Sequence, residues 1–197
     1  LFNIRLPINF NSPYKATDIQ DFWRRWHITL SRFLRDYIYI PLGGKNHQVY
    51  RNLMLTFLIG GLWHGAGWTF IFWGFLHGAA TIIHRLWQKL KTPLPRWLAW
   101  FVTFNFLNVT WIFFRAKTWE DAIRVLEGMI GLNGIVISEK LIKYSWFREL
   151  YETNAAMFGT ITAHRNAWLY LIIALFVVTT FKNSIEKMNS FRPSVIS

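Results

Sequence analysis

Four runs of apolar residues divide the chain, and their lengths predict its architecture. Residues 53–59 and 68–83 form two neighbouring runs, residues 97–114 a third and residues 167–181 a fourth. A helix needs about 20 residues to cross the hydrocarbon core of a bilayer, so the first run is too short to cross alone. A break in a helix is tolerated at membrane depth where protein or a water-filled cavity shields it. The pattern predicts an all-α, multi-pass helical membrane protein with a broken helix between residues 52 and 86.

A histidine lies in the interruption between the first two runs. His64 is surrounded by Gly60, Gly61, Gly65 and Gly67. An ionisable side chain at membrane depth is costly and usually faces a functional cavity. The glycines remove side chains nearby, which lets a backbone or a substrate approach. His64 is therefore the leading candidate for chemistry, and the alternative is a core histidine that hydrogen-bonds a neighbouring helix.

The residues before the first run have a helical period. Thr17 and Gln20 form a capping box at the start of a helix predicted over residues 18–37, and apolar side chains form one stripe along it. Arginines lie beside that stripe, so the helix is predicted to lie along the membrane interface rather than to span it. His27 belongs to a different stripe and, taken alone, would be an ordinary surface histidine. Residues 1–16 are irregular and suggest no chemistry.

The rest of the chain carries fewer signals. Residues 118–130 predict a second amphipathic helix, and residues 135–165 predict a loop or a surface helix. Within the third apolar run, Asn105, Asn108 and Thr110 are expected to hydrogen-bond neighbouring helices or to line the site. His77 shares a helical face with Trp73 and is a secondary candidate, with a buried structural histidine as its alternative. His47 and His164 have ordinary surroundings.

Composition and charge support the membrane interpretation. Hydrophobic residues make up 53% of the 197, aromatic residues make up 19%, and the net charge is +12. The basic residues lie mostly at the ends of apolar runs, which favours anchoring to lipid headgroups over nucleic-acid binding. The loop from Arg85 to Arg96 carries four bases and no acid, and it is predicted to be cytoplasmic. The absence of cysteine excludes disulfides and cysteine nucleophiles. The first residue is Leu1 rather than methionine, and we expect the chain to be a fragment.

The sequence contains no signature of the soluble hydrolases or of nucleotide-binding enzymes. It does contain two separated motifs that resemble one family. The first is Phe-Trp-Arg-Arg-Trp-His-Ile-Thr-Leu-Ser over residues 22–31, followed by Arg-Asp-Tyr-Ile-Tyr-Ile-Pro-Leu-Gly-Gly over residues 35–44. The second is Gly-Leu-Trp-His-Gly over residues 61–65, followed by Trp-Gly at 73–74 and His-Gly at 77–78. Together they resemble the bacterial branch of the membrane-bound O-acyltransferase (MBOAT) family, best over residues 8–130.

The resemblance implies an architecture and a chemistry. Residues 1–197 would be the C-terminal portion of a single membrane domain whose N-terminal helices are absent. The family's invariant histidine falls at His64 and its partner at His27, where other branches carry Asn or Asp. The implied reaction moves an acetyl or other acyl group from a cytoplasmic thioester toward hydroxyls of an exported polysaccharide such as alginate. Transfer from a thioester to a hydroxyl needs a base whose pKa is near neutral, as that of histidine is.

The roles of the site residues stay open at this point. His27 could orient the ring of His64, bind the acceptor or stabilise charge, and both direct transfer and an acyl-histidine intermediate are compatible with the residues. The alternatives to an enzyme are an acyl conduit and an anchoring subunit for a partner enzyme. The predicted substrate-binding residues are Trp63, Trp26, Arg24, Arg25, Trp73 and His77.

The expected partners follow from this interpretation. They are membrane lipid, an acyl donor that is acetyl-CoA or a carrier protein, and a separate periplasmic acetyltransferase. No bound cofactor, metal ion or nucleic acid is expected. The expected location is the bacterial cytoplasmic (inner) membrane, with several passes.

Overall fold

The computed structural model describes residues 7–132, 134–138, 143–145, 148–149, 152, 158–161 and 167–190. The helices and strands follow one another in the order α1 (Ile19–Arg25), α2 (Ile28–Leu34), a π-helical turn (Arg35–Tyr39), α3 (Val49–His64), α4 (Trp68–Lys89), α5 (Arg96–Arg115), α6 (Trp119–Met129), β1 (Ile135–Ser138), β2 (Phe158–Ile161), α7 (Ala167–Thr180) and α8 (Ser184–Ser190). A short 3-10 helix, Pro13–Lys15, precedes α1.

The broken helix predicted between residues 52 and 86 is present as the hairpin of α3 and α4. The first helix continues through Gly60 and Gly61, so the break is confined to residues 65–67. Two glycines let the helices touch: a Cβ on Gly61 would lie 2.4 Å from the carbonyl oxygen of Phe70, and one on Gly74 would lie 2.4 Å from that of Phe57. No side chain fits there, so glycine is required for this packing.

The interior mixes apolar and polar side chains, and much of the exterior is apolar. Phe22 and Leu107 are buried, and Asn52, His77 and Thr110 are also buried, each with 0% of its surface exposed, whereas Trp97 is 69% exposed. A large exposed apolar surface is unusual for a water-soluble domain and marks a surface that meets lipid or protein. Helix α5 is, within the described residues, the one helix both long and apolar enough to cross a membrane. Residues 169–180 form an apolar but shorter helix.

The prediction of one continuous helix over residues 18–37 is wrong. Helix α1 ends at Arg25, α2 begins at Ile28, and the last turn is π-helical. The cap of α1 is Asp18 rather than Thr17, because the Asp18 carboxylate accepts a hydrogen bond from the backbone N–H of Asp21 at 2.8 Å. The break changes the direction of the chain, so the predicted apolar stripe does not continue through it.

Two further predictions have defined outcomes. The amphipathic helix over residues 118–130 is confirmed as α6. The side chains of Asn105, Asn108 and Thr110 bond carbonyls of their own helix at 2.8 to 2.9 Å, rather than a neighbouring helix, since a carbonyl one turn back is within their reach.

The strands qualify the all-α prediction. The helical class is confirmed in the part of the chain that carries the motifs, but β1 and β2 pair in parallel within the segment predicted as a loop or surface helix. This pairing is between segments far apart in sequence, and residues 135–165 show no period that could have indicated it. His164 lies outside the described residues.

Candidate active site

His64 is the last residue of α3, directly before the glycine break. Its imidazole lies among aromatic rings, with centroid distances of 4.9 Å to Trp63, 5.0 Å to Phe114 and 5.3 Å to Trp73. It is half-buried, and no described residue hydrogen-bonds its ring nitrogens. The imidazole is therefore held in place by packing while its nitrogens stay available to a substrate.

His27 occupies the break between α1 and α2. Its backbone is left-handed, with φ of 42° and ψ of 54°. That conformation is uncommon for a residue with a Cβ, and such strain tends to occur at functional sites. His27 takes the N-cap position of α2, yet its side chain makes no capping hydrogen bond. The imidazole is thus free for another task.

The fold brings the two histidines to one aromatic side chain. The ring of Trp63 lies 4.9 Å from that of His64 and 6.4 Å from that of His27, centroid to centroid. Trp63 is itself 59% exposed, and both histidines beside it are half-buried. Trp26, also predicted to bind substrate, packs 4.9 Å from Trp111 at the side of this group.

His77 lies one layer behind His64, with Trp73 between them. The ring of Trp73 is 4.6 Å from His77 and 5.3 Å from His64. The indole N–H of Trp23 donates to Nδ1 of His77 at 3.2 Å, which leaves the ring hydrogen of a neutral His77 on Nε2. His77 therefore supports the aromatic wall behind the site, and the hydrogen-bond partner of its ring among the described residues is the indole of Trp23.

Four buried side-chain nitrogens in this region have no hydrogen-bond partner in the part of the chain that the structure describes. Two are indole donors, on Trp73 and Trp111. The others are Nδ1 of His27 and Nε2 of His77. Buried polar atoms are nearly always paired in folded proteins, so this cluster of exceptions needs a partner from elsewhere. Trp111 was not among the predicted site residues, because its period on α5 does not separate it from ordinary core residues.

The predicted arginines differ in availability. Nε of Arg25 is bonded to Asp21 at 2.9 Å and its guanidinium reaches the carbonyl of Asn11 at 3.4 Å. Arg24 is exposed and has no partner among the described residues. Further along, Asp36 pairs with Arg35 at 2.7 Å, and this hydrogen bond holds the pKa of Asp36 below its usual value. Arg24 is therefore within direct reach of an anionic ligand, and Arg32 on α2 is exposed as well.

One well-defined cavity lies away from these histidines. Its volume is about 850 Å³, and it lies between α4, α5 and the start of α1, with His84 and Trp87 among its lining residues. None of the predicted site residues lines it. Among the described residues, no group of three or more His, Asp or Glu side chains has the placement to hold a metal ion.

Comparison with known proteins assigns a family to these motifs. The model of the MBOAT, membrane-bound O-acyltransferase family, matches residues 2–118. A peptidoglycan O-acetyltransferase of Helicobacter pylori is 53% identical over 190 residues, which are 93% of this chain and 36% of that protein. The probable alginate O-acetylase AlgI of Azotobacter vinelandii is 45% identical over 143 residues, 71% of this chain and 29% of that protein.

A third relative acts on a different polymer. The teichoic acid D-alanyltransferase of Streptococcus thermophilus is 32% identical over 141 residues, 58% of this chain and 34% of that protein. The chain thus spans about a third of the length of the curated relatives it matches. The family match over residues 2–118 includes the positions of His27 and His64.

Proposed function

The chain belongs to the membrane-bound O-acyltransferase family, and on that premise we propose that it carries the catalytic site of a membrane O-acetyltransferase. The observation that supports this is the convergence of His64 and His27 on Trp63 from two separate helix breaks. Packed aromatic rings fix the position of the His64 imidazole. The left-handed backbone of His27 fixes the point from which its imidazole extends. Such fixed placement of reacting groups is what a transfer between two substrates requires.

The proposed reaction is direct acyl transfer. His64 accepts the proton of an acceptor hydroxyl, the hydroxyl oxygen bonds to the thioester carbonyl carbon, and the carbon–sulfur bond breaks to release the thiolate. The thiolate then takes up a proton, so the two substrates become an ester and a thiol. His27 orients the acceptor or stabilises the charge that develops. The unpartnered indole N–H groups of Trp73 and Trp111 are suited to donate to the carbonyl oxygen as it becomes an oxyanion.

The proposed donor is a cytoplasmic acetyl thioester. Arg24 is exposed on the helix pair that carries His27 and can bond phosphate groups of CoA or a carrier protein. The basic segment from Arg85 to Arg96, predicted as a loop, comprises the end of α4 and the connection to the first residue of α5. We place this segment in the cytoplasm and α5 across the inner membrane. Several further passes complete the bundle, and a periplasmic transferase carries the acyl group on to the final acceptor.

The proposed acceptor is a glycan of the cell envelope. The relative at 53% identity is named for peptidoglycan and the relative at 45% for alginate, so peptidoglycan is the first acceptor to test. The alginate interpretation from the sequence motifs remains the second. Both polymers offer the hydroxyl groups that the mechanism needs.

The test is acetyl transfer by the complete protein in proteoliposomes. With labelled acetyl-CoA and either peptidoglycan fragments or alginate oligosaccharides, wild type should release free CoA only when acceptor or partner transferase is present. His64→Ala should lower this rate at least about 100-fold while its amount in the membrane stays normal. His47→Ala is the matched control, because His47 is an exposed loop histidine, and it should retain wild-type activity.

Two results would contradict the proposal. Wild-type rates in His64→Ala would remove that residue from the chemistry. Passage of intact labelled acetyl-CoA through the wild-type protein without any CoA release would instead favour an acyl conduit, which needs no base at the thioester.

A further inference from the structure

A short N-terminal segment bridges the helix break at His27. We call residues 9–11 the strap. The N–H of Asn11 donates to the carbonyl of Arg25, the last residue of α1, at 2.9 Å, and the N–H of Ile28, the first residue of α2, donates to the carbonyl of Asn9 at 2.9 Å. One extended segment thus holds both sides of the break, although the sequence there suggested no chemistry.

The side chain of Asn9 caps α2 from outside the helix. The first N–H groups of a helix lack intrahelical acceptors, and a Ser, Thr, Asp or Asn at the N-cap usually supplies one. Here the N-cap is His27, which supplies none. Instead, Oδ1 of Asn9 accepts from the backbone N–H of Thr29 at 3.1 Å and from its hydroxyl at 2.9 Å.

The strap also contacts the side chains at the break. The ring of Phe10 packs against Trp26 at 4.9 Å and against the imidazole of His27 at 5.9 Å, centroid to centroid. On its other side the strap is held by Asn183, whose amide donates to Oδ1 of Asn11 at 2.8 Å. A left-handed residue with a Cβ persists only where its surroundings fix it, and the strap provides that restraint.

We infer that Asn9 is a positioning residue for His27. By capping α2 in place of the N-cap side chain, Asn9 releases the imidazole of His27 from capping and holds its backbone so that the ring faces Trp63 and His64. The expected effect on the reaction rate rests on the proposed function, whereas the expected effect on the position of His27 does not.

The first test is kinetic, with the complete protein in proteoliposomes. Asn9→Ala should lower kcat per folded molecule by about 10- to 100-fold and leave KM for acetyl-CoA within about twofold, because a displaced imidazole affects the transfer step rather than donor binding. Asn9→Asp should restore most of kcat, since a carboxylate accepts both Thr29 bonds and suits a helix N-terminus. The control is Asn46→Ala in the exposed loop before α3.

The second test reads the position of His27 without any activity. Carbethoxylation by diethyl pyrocarbonate, followed by mass spectrometry, should be several-fold faster at His27 in Asn9→Ala than in wild type and Asn9→Asp, because its buried Nδ1 becomes accessible. Exposed His47 is the internal reference and should react equally in all variants.

The outcomes separate the two proposals. Unchanged kcat and an unchanged His27 reaction rate in Asn9→Ala would overturn the role of Asn9, as would failure of Asn9→Asp to restore either quantity. If wild type has no transferase activity, the proposed function fails, and the carbethoxylation rates still decide whether Asn9 positions His27.

Discussion

The two candidate histidines lie at two helix breaks that are built in opposite ways. His27 itself occupies the first break in a left-handed conformation, with φ of 42°, and hydrogen bonds from a distant segment hold it there. His64 precedes the second break, where Gly65 has φ of 165° and Gly67 has φ of −80°. Neither glycine has a left-handed backbone, so conformational freedom is not the reason for them.

The lack of room for a side chain explains the glycine at the start of the second break better. A Cβ on Gly65 would lie 2.7 Å from the ring of Phe70, whereas one on Gly67 would make ordinary contacts of 3.6 Å or more. The close contacts continue into the hairpin at Gly61 and Gly74. The first break therefore depends on strain held by hydrogen bonds, and the second depends on the absence of side chains. Substitutions at the first break should therefore act through backbone strain and the position of His27, and substitutions at the second should act through packing.

The largest effect is expected at the hairpin. Gly61→Ala or Gly74→Ala forces a Cβ against a backbone carbonyl that cannot rotate away, so we expect destabilisation of about 3 kcal/mol and a clear fall in Tm. Thermal unfolding of the complete protein in detergent measures this. The control is Gly128→Ala in α6, where the added Cβ meets no atom within 4 Å, and it should be neutral or stabilising. Wild-type Tm in both hairpin variants would contradict the packing argument.

Substitution of His27 should separate strain from chemistry. His27→Ala and His27→Gly should both lower transfer by about 100-fold, since each removes the imidazole. His27→Gly should nevertheless be about 1 kcal/mol more stable than His27→Ala, because glycine adopts the left-handed conformation without strain. His27→Asn should keep the fold, and partial activity would favour an orienting role over proton transfer.

Two observations would count against this interpretation of the first break. One is equal stability of His27→Gly and His27→Ala in the same unfolding assay. The other is an effect on transfer no larger than that of His47→Ala.

The smallest effect concerns Trp73, whose ring contacts both His64 and His77 behind the site. Trp73→Phe keeps a packed ring but removes an indole N–H that lacks a partner among the described residues. We expect about a tenfold lower kcat per folded molecule, equivalent to about 1.4 kcal/mol, if that donor stabilises the oxyanion. Trp100→Phe is the control, because Trp100 lies away from the site and its indole N–H donates to the carbonyl of Tyr14 at 2.8 Å. Its kcat should be unchanged. Equal kcat values in the two variants would remove Trp73 from the reaction.

The placement of several residues could be predicted because local signals specified it. A histidine among glycines between two apolar runs indicated the break after His64, and the spacing of Trp73 and His77 placed them on one helical face, as the structure has them. The family motif singled out His27. The break at that residue carried no local signal, because Trp26 and His27 are neither glycine nor proline and the surrounding residues have a helical period.

The sequence by itself determined the helical class, the hairpin break, the second amphipathic helix and the family, because periodicity, glycine placement and short motifs are properties of neighbouring residues. Only the tertiary structure decided that the helix breaks at Trp26 and His27, and that Asn9 supplies the cap. It likewise decided that the ring of Trp63 contacts both histidines. A left-handed residue is unfavourable on its own, so its conformation is selected by hydrogen bonds from a segment about 20 residues away, and nothing local records them.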